Sequence, residues 1–318
     1  MTLGFFARAI VQVLAAHAVV STVASLIVLF SWRRVASNSV SAPSTTSRRL
    51  FRLRMAPAVA AALLAWGGIP IAFAAWEPTG KIERVGPVAL TLAVAGAALV
   101  ASSLWRLAMA LRETQRIHRS LVDAARGSLP GSPLPAFVID SRFPVVALVG
   151  LFVSRLFVAR TVVDACDAGE LRAVVAHEQA HAGARDNLRR LLMAGAPDTL
   201  ACLPVGASMM REWAAMAELA ADEIAVRHSS HRLHLASALV KVARLATTPP
   251  DALPASTLYR GEPIAERVHR LLEAPAPAGP EPTSRWLRPV SIAFVCVTAP
   301  VWLRAVYAAV EELMKIGL

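Results

Sequence analysis

In the stretch AVVAHEQAHAGARDN, residues 173–187, His177 and His181 stand four positions apart with Glu178 between them. On an α-helix, positions i and i+4 lie one turn apart on one face, so both imidazoles can reach a single ion while Glu178 projects beside it. Two ring nitrogens suit zinc, and an adjacent carboxylate suits a base that takes a proton from water. The chemistry predicted is metal-assisted hydrolysis. The pair alone is an incomplete set, because a catalytic zinc takes a third protein ligand and keeps a fourth position open. With no third ligand, the motif reads as two solvated histidines on a helix.

Several elements must position that pair. DAGELRAVVAHEQAHAGARDNLRRLLM places Asp167 at an N-cap with Glu170 three residues on, a capping box that predicts one helix from Ala168 to Met193. Ahead of it, FPVVALVGLFVSRLFVAR, residues 143–160, is rich in β-branched residues and interrupted by Gly150, which predicts two strands or a hairpin. Further upstream, RETQRIHRSLVDAAR is a basic helical stretch followed by the turn-rich link GSLPGSPLP. Downstream, PPDALPAS and APAPAGPEPTS are Pro-rich linkers.

The remainder of the chain is far more apolar. Only 17% of the 318 residues are charged, against roughly 25% in soluble domains. Charge-free runs cover Ala9–Trp32, Met55–Trp76 and Val85–Trp105, of 24, 22 and 21 residues, each enough for a helix to cross a bilayer. The first exceeds the h-region of a secretory signal and is followed by arginines, so it reads as a retained helix. Pro289–Leu303 is a fourth candidate, 15 residues long, flanked by Arg288 and Arg304 and with its apolar pattern resuming to Val310; arginine stems of that length can snorkel.

Residues 33–54 carry six arginines and no acidic residue, whereas 77–84 carries two charges of each sign. The positive-inside rule therefore places the arginine loop in the cytoplasm, together with everything between the third and fourth helices. This topogenic loop accounts for much of the net charge of +11. No helix-turn-helix, RNP or zinc-finger pattern accompanies the basic residues, so no direct nucleic-acid binding is expected. Cys166, Cys202 and Cys296 form no CxxC pair and predict no disulfide frame.

The HEQAH motif with the later ELAAD resembles the gluzincin pattern of H-E-x-x-H plus E-x-x-x-D. That resemblance implies Glu218 as third metal ligand and Asp222 as acceptor of a ring N–H, that of His177, fixing its tautomer. Residues 143–272, with GELRAVVAHEQAHAGARDNLRRLL and AELAADEIAV, resemble the membrane zinc peptidases typified by the β-lactam-sensing antirepressors. RDNLRRLL is more specific to that group than the zinc motif. A more distant similarity is to the CAAX prenyl protease and heat-shock membrane protease group, whose ERI-like helix reads AERVHRLL here.

Two departures from these families stand out. The sensors carry an extracellular penicillin-binding domain after the fourth helix, whereas this sequence stops at Leu318, so direct β-lactam sensing is not expected. The His-Pro that precedes the ERI helix of the prenyl protease group is replaced by Glu262-Pro263. The oxyanion donor is therefore open among His228, His231, His234, Tyr259 and Arg267.

If His181 and Glu218 meet one ion, the nearly apolar run 191–210 cannot cross the membrane once, since a single crossing separates its ends by about 30 Å. It must fold back near Pro197, Asp198 and Pro204 and pack on the membrane helices or dip into the inner leaflet.

The expected fold is mainly α: a polytopic membrane protein with about four transmembrane helices and a cytoplasmic α+β zincin-like domain between the third and fourth. Residues 1–111 form the N-terminal membrane domain, 112–285 the peptidase domain and 286–318 the last helix with a short tail. By resemblance it is an inner-membrane zinc metalloendopeptidase holding one catalytic Zn2+, with Glu178 as base. The resemblance implies a protein or peptide substrate, and as partners the lipid bilayer, a DNA-binding repressor or a separate sensor protein. A zinc-binding module without catalysis is the main rival, opposed by the intact Glu178. A transporter is opposed by spans without charged cores.

Overall fold

The computed structural model describes residues 3–37, 42–76, 85–141, 143–229, 232–246, 264–273, 303–312 and 316. Three helical rods are long and apolar enough to cross a membrane: Phe5–Arg34, Pro43–Trp76 and Pro87–Asp123. They contain the first two charge-free runs and all but Val85 and Gly86 of the third. The first lies in α1 (Leu3–Ala36). The second joins α2 (Pro43–Ala61), a π-helical segment Ala62–Gly68 and α3 (Ile69–Trp76). The third is α4 (Pro87–Asp123), opened by Pro87 after the extended Gly86. Gly96 lets α4 approach α1 closely, since a Cβ there would strike the Leu14 carbonyl oxygen. The expected fourth span, 289–303, lies outside the described residues except for Leu303. Helical residues 303–312 pack Tyr307 and Val310 onto α1 and α3.

At the end of the third rod, α4 leads into a four-stranded sheet. Strands β1 (Ala125–Ser128), β2 (Ala136–Ile139), β3 (Val146–Val149) and β4 (Arg155–Ala159) are ordered β1-β2-β4-β3. The β3–β4 pair is the antiparallel hairpin expected for 143–160. Gly150 turns at a φ of +124°, where a Cβ would strike the Val153 carbonyl oxygen. The first two strands fall in the basic helical stretch and after the turn-rich link, and the sequence reading missed them. Phe157, Val158 and Val162 of β4 and α5 (Arg160–Ala165) join Val174, Val175, Ala238 and Val242 in one core.

Helix α6 (Ala168–Ala184) begins with the predicted capping box: Asp167 Oδ1 accepts from Gly169 and Glu170 N–H, and Glu170 Oε2 accepts from Asp167 N–H. The buried Glu170 also accepts from Ser237 and Lys241 of α9 (Arg232–Leu245), at 2.6 and 2.7 Å. A single helix from Ala168 to Met193 is not what forms. Arg185 adopts a left-handed conformation, φ 55° and ψ 42°, and α7 (Asp186–Ala194) starts in a new direction. This costs a non-glycine residue about 1–2 kcal/mol, offset by what Asp186 and Asn187 then reach.

The 191–210 run folds back as expected. A short 3-10 turn, Thr199–Cys202, separates α7 from α8 (Pro204–Ser229). The carbonyls of residues 193–197, ahead of this turn, are held by the three rods. Arg106 Nε and Nη2 donate to Ala194 and Ala196 O at 2.9 Å each. Arg54 donates to Met193 O and pairs with Asp198 at 2.6 Å, both side chains almost fully buried. His17 Nε2 lies 2.8 Å from Pro197 O, and Trp66 donates to His17 Nδ1 at 3.2 Å, a pairing that needs the Nε2-protonated tautomer. Cations at the end of α7 also answer its C-terminal dipole.

Arg54→Met strands the Asp198 carboxylate and is expected to cost roughly 3–5 kcal/mol. Pairing it with Asp198→Leu should return most of that loss in thermal unfolding of the detergent-solubilised protein.

Candidate metal centre

His177 and His181 of α6 face Glu218, which α8 delivers after its return from the bundle. The two Nε2 atoms stand 3.1 Å apart. His177 Nε2 is 3.5 Å from Glu218 Oε2, and His181 Nε2 is 3.6 Å from Oε1. Ligands about 2.0–2.1 Å from a tetrahedral ion lie about 3.3 Å from one another, so these separations match the edges of such a site. Oε2 of Glu218 is buried, with the Arg267 guanidinium at 3.1 Å and His177 Nε2 at 3.5 Å as its charged or polar neighbours. The three residues predicted as ligands are thus brought together, with Glu178 buried beside them at 3% exposure.

Each histidine is oriented from behind. Asp222 Oδ1 lies 2.9 Å from His177 Nδ1, the partner that the gluzincin resemblance implied. Asp186 Oδ2 lies 2.8 Å from His181 Nδ1, and the sequence reading missed this residue. Its only sequence signal was its place in RDNLRRLL, since the left-handed Arg185 brings it back over the preceding turn. Carboxylates behind both rings leave Nε2 to face the ion and raise its basicity.

Among the open oxyanion candidates, Arg267 of α10 (Ile264–Glu273) is fully engaged elsewhere. Its Nε and Nη2 donate to Asp222 at 2.8 and 2.6 Å, and Nη1 is 3.1 Å from Glu218 Oε2. It supports the ligands and does not stand free above them. His234 packs its ring against Gly169, two turns of α6 before His177. His231, Tyr259 and the His228 side chain lie outside the described residues. Cys166 and Cys202 are free thiols.

The charge balance is that of a site built for a cation. Burial opposes charge on His177, but hydrogen bonds to Asp222 and Glu218 outweigh it and raise its pKa. His181 shows the same contest, burial against Asp186 and Glu218, and ends at about 10. Glu218 is held well below the usual range because its two histidine partners overcome its own desolvation. Glu178 is raised by burial, which suits a proton acceptor working near neutrality.

The sequence model of Peptidase family M48 matches residues 111–276, just over half of the chain. The chain belongs to peptidase family M48. No curated protein matches it. In this M48 peptidase the matched segment holds the four strands and all of α6, α8 and α10, so every residue at the metal centre falls inside it. Family and geometry agree on a metallopeptidase whose His177, His181 and Glu218 can bind a metal.

Arg267→Met in this M48 peptidase is expected to loosen both Asp222 and Glu218 and to weaken metal affinity by about 10–100-fold. Competition against a chelator of known affinity measures it.

Proposed function

We propose that this chain is an integral membrane zinc metalloendopeptidase of the gluzincin kind, hydrolysing peptide bonds at the cytoplasmic face of the inner membrane. The observation that carries the reading is the convergence of His177, His181 and Glu218 with the buried Glu178 alongside. Two imidazoles and one carboxylate favour zinc over harder cations. When bound, zinc supplies Lewis acidity, acidifying a water and polarising the scissile carbonyl.

The chain's own residues do the rest. Glu178 accepts the proton of the attacking water and passes it to the leaving amine. Asp222 and Asp186 hold the histidine rings, and the burial of Glu178 keeps bulk water from competing. Strand β3 is an edge strand packed beside α6, and a substrate in extended form can add to it.

The cytoplasmic orientation is supported by the arginines of residues 33–54. The catalytic elements lie at that end of the rods: Trp213 of α8 packs with Leu50, and Arg189 lies over Phe51. A regulatory role, with the chain itself or a transcriptional repressor as substrate and a separate protein as sensor, rests on the resemblance of residues 143–272 to the antirepressors.

The test is expression of wild type and Glu178→Ala in membranes, with and without a zinc chelator, alongside casein and a winged-helix repressor. Discrete wild-type fragments of the chain or the repressor, lost with chelator, support the proposal. Indiscriminate cleavage of casein alone favours membrane-protein quality control, and identical patterns in all lanes favour the non-catalytic module.

A further inference from the structure

Among the described residues no strand pairs with the outer edge of β3, which presents a defined set of main-chain groups. Ala159 N–H donates to Val145 O at 2.7 Å, and the register opposes Val146 to Val158 and Leu148 to Leu156. Bonds to β4 therefore fall at Val145, Ala147 and Val149, and the groups of Val146 and Leu148 point away from the sheet. Asn187, the second residue of α7, enters this edge. Its Nδ2 donates to Leu148 O at 2.9 Å and to Gly150 O at 3.2 Å. One side-chain amide thus occupies the two acceptors, two residues apart, that the next step of an added strand would need. Among the described residues, what remains open is the N–H and C=O of Val146 and the N–H of Leu148.

We infer that Asn187 is a positioning residue that sets the substrate's register: it closes one end of the β3 edge, so an added strand pairs at Val146 and stops at Leu148. The inference rests on the peptidase reading above. Asn187 sits six residues after His181 on a helix whose first residue, Asp186, holds that histidine's ring. The stop is thereby fixed relative to the metal, and so is the bond presented to Glu178. Because side chains alternate along a strand, a slipped substrate moves in steps of two residues to keep the same face.

The experiment uses the full-length, zinc-loaded protein in detergent with casein as substrate, comparing wild type with Asn187→Ala and Asn187→Asp. The aspartate keeps the shape but cannot donate to either carbonyl. Both variants are expected to bind zinc as wild type does. They should produce new cleavage sites displaced by two residues, and KM at the original sites should rise about tenfold with a smaller change in kcat. Unchanged site distribution and KM in both variants overturns the inference while leaving the peptidase intact. Asn187→Asp behaving as wild type overturns it as well, since shape and not donation would then set the register. Absence of cleavage by zinc-loaded wild type overturns the peptidase reading, and this inference with it.

Discussion

With Glu178 in the role proposed for it, Glu178→Gln is expected to leave the metal bound and to lower peptide cleavage by about 10²–10⁴-fold, the usual contribution of a positioned general base. The amide has the size of the carboxyl but no basicity, so packing around this buried position is kept. His177, His181 and Glu218 keep their separations, because Asp222, Asp186 and Arg267 hold them from behind. Metal content and turnover must therefore part company in this variant. Metal analysis beside a cleavage assay reads both, and a Glu178→Gln protein cleaving within a factor of two of wild type would remove Glu178 from the reaction.

Metal removal should abolish cleavage outright, and the pH dependence of metal return has a predictable sign. In the metal-free protein the His181 pKa rises from 6.5 to about 10, so at neutral pH the ring carries a proton that a metal must expel. Affinity for zinc should then climb about tenfold per pH unit for each proton displaced, or at least about 100-fold between pH 6.5 and 8.5. Stability of the metal-free protein runs the other way. A group whose folded pKa lies above its unfolded value stabilises fully below the latter, and the contribution is lost as pH rises through the former. The metal-free melting temperature should fall between pH 6.5 and 10, while the zinc-loaded protein lacks that component of the decline. A zinc affinity flat across this range would mean that His181 is already neutral without metal.

What the sequence made legible was local. The four-residue spacings of His177 with His181 and of Glu218 with Asp222 follow from the helical period, and the Asp167 capping box follows from adjacent residues. The fold-back of 191–210 followed from distance once the resemblance implied Glu218 as a ligand, since two ligands of one ion cannot be a bilayer apart. The break at Arg185 left no such trace, because apolar and basic residues keep a helical rhythm straight through it. Its cause is tertiary: Asp186 turning to His181 and Asn187 turning to β3. Strand β1 reads ARGS, without alternation, and is a strand only because β2 lies beside it. Arg267 was one of five open oxyanion candidates, and nothing in AERVHRLL tells that α10 carries it to Asp222 and Glu218.

Helix α8 is also a ruler. Its first residue, Pro204, sits at the hairpin gripped by Arg54, Arg106 and His17, and Glu218 stands about 21 Å further along at 1.5 Å per residue. Bond scission is thus held at a set height above the floor of the hairpin, less than the diameter of a small folded domain. A globular protein could not fit its own body into that gap, whereas a juxtamembrane tether or an unravelled end could lie in it. The selectivity of such an enzyme would come from clearance as much as from side-chain pockets, and lengthening α8 by one turn should shift which stretch of a tethered substrate is cut.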